Sequence, residues 1–465
     1  MMRYSPAFLT LALLTVTGVR AQEQEYVELH NAEVIHMDFL GVTPAYRDWD
    51  ASQEFPDPIV RTERGLLIPH EELENKGLHQ KLNPKARPYG ADPVWQQDFG
   101  QKSSRNRALD LTQDGIGYTS VNPADPCLDV GPNHVVQMIN GGSGSYFQVF
   151  DKNGSSLGAA VYLDNFVGSV GGAGDPIVLY DAIADRWLMS EFAASGNRLL
   201  VAISQTPDPT GSWYAYSFTT PNFPDYPKYS VWNSMYMVTS NEGTGCPIYA
   251  LDRTKMLAGD PSATTQRFTT PDYPTIGFQA TTPITFDGGS APPAGAPAML
   301  MRMADDAWSA SIPNDRLELW TLTVDFTTPG NSVLSGPTTY ATQPFDTELC
   351  GYTSFSCIDQ PGTSVNLDPL REVIMNRAHY RNLGTHEVIV CNHVTDVDGT
   401  DHAGIRWYEL RRTGGPGQPW SIHQQGTYAP DGDSRWMAGI AINDLGDIAL
   451  AYSVSSGSTD RKSVV

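Results

Sequence analysis

What this chain of 465 residues lacks excludes several chemistries at once. Its five cysteines make no CxxC or Cys/His spacing, so no zinc site is legible. There is no Gly-rich phosphate loop, no Ser-centred nucleophile elbow and no metal-protease helix. Basic residues are few, 30 against 52 acidic, and the net charge is -22. A surface this negative repels phosphate backbones, which argues against a nucleic-acid partner. Beyond the first residues, no stretch is apolar enough to cross a membrane.

The chain does carry 42 Gly and 34 Pro, spread throughout, and 10% aromatic residues. That punctuation favours many short strands over long helices. At the start, Arg3, the apolar run Phe8 to Val19, and the small residues Val19 and Ala21 before Gln22 read as a secretory signal over 1–21. The mature chain is therefore expected outside the cell, secreted or at the cell surface. Residues 22–105 differ in texture. They are charged, helix-tolerant over His70 to Leu82, and broken at Pro84, Pro88 and Pro93. They read as a leader or strut, with a pro-segment as the alternative.

Asp175 to Phe218 holds four short apolar runs, Ile177 to Tyr180, Arg186 to Phe192, Arg198 to Ser204 and Trp213 to Phe218. Tight reversals rich in Asp, Gly, Pro and Asn separate them, which is the signature of four strands. Four strands in about fifty residues is the size of one propeller blade. The unit repeats. Turns with Asp and Pro stand at Asp125-Pro126, Asp175-Pro176, Asp225-Tyr226-Pro227 and Asp272-Tyr273-Pro274. Their offsets are 50, 50 and 47 (175−125, 225−175, 272−225). Pro fixes φ and donates nothing to a ladder, so it suits a strand's first residue, and Asp accepts hydrogen bonds from its own turn. The expected fold is all-β, a β-propeller of six to seven four-stranded blades over 106–459. The last six residues, 460–465 (DRKSVV), resemble a translated sequencing-library adapter, and the final blade is expected to be truncated.

Several segments together, ADPCLDVGPNHVVQMIN, GDPIVLYDAIADRWLMSEF, FPDYPKYSVW, PGTSVNLDPL and RWMAGIAINDLGDIALAYSVSS among them, resemble a family of secreted bacterial propeller-like proteins. The likeness runs from about Asp110 to Ser456. It implies export and a propeller, with surface-sorting modules often following the repeat in its members. It implies no catalytic residue.

Candidate chemistry follows from the repeat. In a propeller the first strand of each blade lines the channel, so Asp125, Asp175, Asp225 and Asp272 are candidates to ring one mouth and bind a cation or sugar hydroxyls. A repeated turn cap is the simpler alternative. Arg377, His379 and Arg381 alternate, so they share one strand face that would hold an anionic sugar or pair with neighbouring acids. Asp396, Asp398 and Asp401 in TDVDGTD resemble a calcium loop, although Gly399 comes fourth where an EF-hand needs it sixth. Calcium (Ca2+) is the one cofactor these residues suggest, with a polar hairpin tip as the alternative. Cys350 and Cys357 flank GYTSFS and are the pair placed for a local disulfide, or else two free thiols. Thr206, Asp208, Gly211 and Trp213 resemble the Asp-box turn of sialidase-type propellers, with the glycine one place late. Glu191 and Glu387 lie in strands and are expected to face outward. The strand tryptophans Trp187, Trp213, Trp232, Trp320, Trp407 and Trp436 are expected mostly in the core. The function these features suggest is binding of an extracellular polysaccharide or protein. The rival is a glycan-active hydrolase or lyase with its site at the channel mouth.

Overall fold

Short apolar runs closed by Asp, Gly and Asn leave little room for anything but hairpins, and the computed structural model is built from them. It describes residues 27–29, 32–50, 90–96 and 113–464, apart from 120, 122, 169–170, 194–195, 244, 274–275, 277, 287, 353–355 and 461. The proposed signal, 1–21, lies outside the described residues. The chain is a β-propeller, each blade an antiparallel sheet laid out from the channel to the rim. The first blade is Cys127–Val130, His134–Gly141, Gly144–Asp151 and Val161–Tyr162. The second is Gly172–Asp181, Arg186–Ala193, Arg198–Ser204 and Trp213–Thr219. The third is Asp225–Val231, Met235–Asn241, Cys246–Asp252 and Thr264–Thr270. The fourth is Thr282–Phe286, Ala298–Ala304, Arg316–Thr323 and Val333–Ala341. The fifth is Ala378–Asn382, Glu387–Asp396, Ala403–Arg412 and Ser421–Tyr428. The sixth has three strands, Ser434–Ile442, Ile448–Ser455 and Lys462–Val464. Parallel pairing of Ile284 with Ala378 joins the fourth and fifth blades at the channel.

Residues read as a leader do something the sequence did not suggest. They supply outermost strands. Val27–Leu29 pairs with the fourth blade, Glu33–His36 with the third and Asp38–Val42 with the second. The Tyr46 hydroxyl then donates to the Ala159 carbonyl at 2.6 Å in the first. The chain thus runs back around the rim before the blades begin. Trp95–Gln96 later pairs in parallel with the fifth blade. Each added strand occupies an edge that would otherwise expose unpaired backbone groups.

The core lies between blades. Met138, Phe147, Trp187, Met189 and Trp213 pack the first against the second. Leu188, Val201, Tyr229, Tyr236 and Leu251 pack the second against the third. Trp232, Met301, Trp320, Tyr380 and Tyr408 continue through the fourth and fifth, and Val388, Val390, Ile440 and Ile442 seat the sixth. Each such side chain contributes about 1.5–3 kcal/mol by leaving water. Among the described residues no apolar cluster joins the sixth blade to the first. There Leu128 is 53% exposed, Val130 47% and Met437 45%.

Candidate functional site at the channel mouth

The Asp-Pro repeat acts through its backbone first. Asp125, Asp175 and Tyr226 have φ of 41, 50 and 54° at the start of the first three innermost strands. The pairing register shifts beside Asp175 and again between Asp225 and Lys228, so each is a bulge. Asp tolerates the left-handed region better than most residues, which suits it to these positions. Leu370, after Asp368-Pro369, repeats the conformation ahead of the fifth blade with φ 50°.

These bulges converge side chains from successive blades. Asn140 of the first blade donates from Nδ2 to Asp125 Oδ2 at 2.9 Å, and its Oδ1 accepts the Asp175 N–H at 3.0 Å. Asp175 Oδ2 in turn accepts the N–H of Tyr226, in the third blade, at 3.1 Å. The acids therefore lace blade to blade and do not simply cap their own turns. Lys228 Nζ lies 3.5 Å from the centre of the Tyr226 ring and 3.2 Å from the Pro227 carbonyl, to which it donates. Asp125, Asp175, Asp225, Tyr226 and Lys228 are all half-buried.

Their charges are mutually adjusted. Burial raises the pKa of Asp125, while Lys228 and the Asn140 bond hold it down. Asp175 is raised well above the usual carboxylate range, by burial first and then by Asp125 and Asp225. Burial lowers Lys228, against the opposing pull of Asp175, Asp125 and Asp225. The Tyr226 hydroxyl is raised by burial and then by Asp175, Asp125, Asp225 and Asp368. Carboxyl groups and an ammonium that feel one another's charge offer both acceptors and donors to a hydroxyl-rich ligand.

Asp272 is not part of this group. Its Oδ2 accepts the Gly245 N–H at 2.9 Å, and the fourth innermost strand begins only at Thr282. Arg377 Nη2 lies 3.0 Å from Asp129 Oδ2 of the first blade, and Arg381 bonds Asp444 of the sixth. His379 between them is buried, and burial, then Arg377, lowers its pKa to about 3. The basic face is thus occupied by acids of two other blades. Asp396 accepts the N–H groups of Asp398, Gly399 and Asp401 at 3.1, 2.9 and 3.0 Å. Asp398 Oδ1 accepts from Thr400, and Asp401 Oδ1 accepts the Cys350 N–H at 2.6 Å. These oxygens bind the hairpin's own donors and the N–H of Cys350. Cys350 and Cys357 form a disulfide, Cα atoms 5.2 Å apart.

Two expectations need correcting. Glu191 and Glu387 do not face outward. Glu191 is fully buried, and Glu387 is buried with Arg412 at 2.6 and 2.8 Å and the Tyr380 hydroxyl at 2.6 Å. Both faces of a middle strand pack against neighbouring blades, so such a strand has no outward side. Of the tryptophans, all but the half-buried Trp407 are buried. Asp208 of the Asp-box-like turn accepts from Thr210 at 2.9 and 2.7 Å and reaches His134 of the first blade at 3.8 Å. A groove of about 420 Å³ between the fifth and sixth blades, lined by Trp407, Gln424, Asp447, Ile448 and Leu450, contains none of the candidate residues.

Reasoning from the sequence missed Asn140, Tyr226, Lys228, Asp129 and Asp368. A further Asp-Pro, at Asp368-Pro369, was there to be read. It stands 143 residues after Asp225 (368−225), because insertions break the 50-residue offset.

No protein-family model and no curated protein matches the chain. Among solved structures it is similar to a subtype N11 neuraminidase-like protein of A/flat-faced bat/Peru/033/2010, at 8% identity, TM-score 0.28, over 67% of this chain and 72% of that one. It is also similar to a subtype N10 neuraminidase-like protein of A/little yellow-shouldered bat/Guatemala/060/2010, at 8% identity, TM-score 0.34, over 71% and 89%. The polysaccharide lyase Uly1 matches at 8% identity, TM-score 0.30, over 81% and 96%. Such likeness transfers no residue and no activity to this chain.

Proposed function

We propose that this protein is a secreted or cell-surface binding module that holds an extracellular polysaccharide at the channel mouth. The supporting observation is that Asp125 and Asp175 are laced through Asn140 to Tyr226, and that both, with Asp225, act by their charge on Tyr226 and Lys228. Half-buried carboxyls bind hydroxyl pairs, and the ammonium of Lys228 donates to ring or hydroxyl oxygens. The Cys350–Cys357 disulfide suits an oxidising compartment. A second reading, a glycan hydrolase or lyase, has one observation in its favour. Burial, then Asp125 and Asp225, raises the Asp175 carboxyl well above the usual range, and a raised acid among carboxylates is one requirement of acid–base cleavage of a glycosidic bond.

The test is a panel of neutral and acidic polysaccharides presented to the full chain, scoring both retention and newly released chain ends. Retention without release, lost in Asp175→Asn, is the expected result. Release abolished by Asp175→Asn supports the enzyme instead. No retention of any polysaccharide sinks both readings.

A further inference from the structure

We propose that Glu191, Asp164 and Ser145 build a buried site for a hard divalent cation, calcium, between the first and second blades. The site lies one strand out from the channel and is independent of the mouth described above. Glu191 and Ser145 are 0% exposed and Asp164 5%. Glu191 Oε2 accepts the Ser145 N–H at 2.7 Å, the Ser145 hydroxyl stands close enough to lower the Glu191 pKa, and the enclosed Glu191 Oε1 meets no well-aligned donor. Asp164 comes to the same place through Gly172. Its Oδ2 accepts the Gly172 N–H at 3.1 Å, and its Oδ1 accepts the Asn165 N–H at 2.8 Å. A Cβ on Gly172 would stand 2.5 Å from Glu191 Oε1, so this glycine is what lets the second carboxylate close in. On the other side Gly144, with φ 139°, approaches Glu191 Oε2.

Two carboxyl groups are thereby enclosed together, and among the described residues no Arg, Lys or His forms an ion pair with either. Burial raises both, and the Asp164 charge raises Glu191 further. A buried charge persists only when it is paired or bound to a metal. A trapped water would serve the open Glu191 oxygen but not the charge, which only protonation or a cation can remove. Calcium answers both needs, because it takes carboxylate, hydroxyl and backbone oxygens in flexible number.

The experiment is thermal unfolding of the full chain, first with a chelator and then with calcium at about 1 mM, within the range over which extracellular modules bind it. The expected result is a rise in midpoint of about 2–5 °C in the natural protein. Glu191→Gln, which keeps the Ser145 hydrogen bond and removes the charge, should show no rise, while Asp398→Asn should keep it. No rise in the natural protein overturns the proposal. So does a rise that survives Glu191→Gln, or one lost only in Asp398→Asn, which would place the ion at the 396–401 hairpin. Should Glu191→Gln fail to fold, metal content decides on the natural protein. About one calcium per chain above the dialysate at equilibrium with about 1 mM calcium supports the site, and none overturns it.

Discussion

Arg377 of the fifth blade places its guanidinium 3.0 Å from the Asp129 carboxylate of the first, so two blades distant in sequence meet across the channel. Asp129 Oδ2 also accepts the Tyr180 N–H of the second blade at 2.7 Å. One carboxylate therefore ties three blades together at the lumen. Among the described residues no apolar cluster joins the sixth blade to the first, and this bridge reaches the first blade from the fifth.

Breaking that bridge from either side should give unequal results. Arg377→Met strands a largely buried carboxylate, at a cost of about 1–3 kcal/mol. Asp129→Asn keeps an oxygen for Tyr180 and should cost less. Urea unfolding of both variants checks this, and equal losses would deny the bridge its role.

The rim segment is anchored by a second ion pair. Arg406 Nη1 lies 3.0 Å from both carboxylate oxygens of Asp92, and Arg406 also donates to the Gln343 carbonyl and Gln425. Both side chains are almost fully enclosed. Asp92→Ala leaves an unpaired buried guanidinium and should cost about 3–5 kcal/mol. It should also release Trp95–Gln96 from Ser421–Tyr428, read as faster amide exchange at Thr427. A loss below about 1 kcal/mol would mean the pair is dispensable.

The bulges explain what the sequence did and did not disclose. Asp125, Asp175 and Asp225 were legible because an evenly spaced turn must reappear at the same depth in each blade. Asp272 misled because the fourth blade inserts a loop between its turn and Thr282, so the 47-residue offset matches a different place. Lys228 sits in the same PDYPK stretch that revealed the repeat, yet only the bulge at Tyr226 decides that its side chain points to the acids. Glu191 was misjudged because alternation assumes one solvated face, and an inner blade has none. The rim strands stayed hidden because they are three to five residues long, too short to show a period. Their positions are fixed by the edges they cover and not by their own periodicity.

Stability should fall on both sides of mildly acidic pH. Asp315 is pushed to about 8 by burial and then by Asp305, and burial raises Glu372 to about 7. Their folded forms keep protons that the unfolded chain gives up, so this contribution is full below pH 3.8 and is lost as pH rises toward 8. His393 runs the other way. Its Nδ1 donates to the Val394 carbonyl at 2.9 Å, leaving Nε2 to accept the Tyr408 hydroxyl at 3.0 Å, and burial lowers its pKa to about 3. That contribution is full above 6.5 and is lost as pH falls toward 3. His379, lowered to about 3 as well, adds a second histidine, so between about 4.5 and 6.5 two raised acids oppose two lowered histidines, each at most about 1.4 kcal/mol per pH unit per proton. Urea midpoints from pH 3 to 9 should show a plateau there. Asp315→Asn should flatten the alkaline side, and His393→Gln the acid side.

Lys228 offers the sharpest test of the channel mouth, because its charge and its packing can be separated. Its ammonium lowers the pKa of Asp125 and of Asp175 from within a crowd of acids. Lys228→Met keeps the stem over the Tyr226 ring and deletes the charge. The acids then hold their protons to higher pH. If polysaccharide is held by these carboxyl groups, the midpoint of its retention-versus-pH curve should move upward in Lys228→Met. In Asp272→Asn, whose carboxylate accepts the Gly245 N–H away from this group, the curve should stay where it is. A Lys228→Met curve that loses height without moving along the pH axis would mean the lysine only packs the mouth, and that the acids beside it do not set what the channel binds.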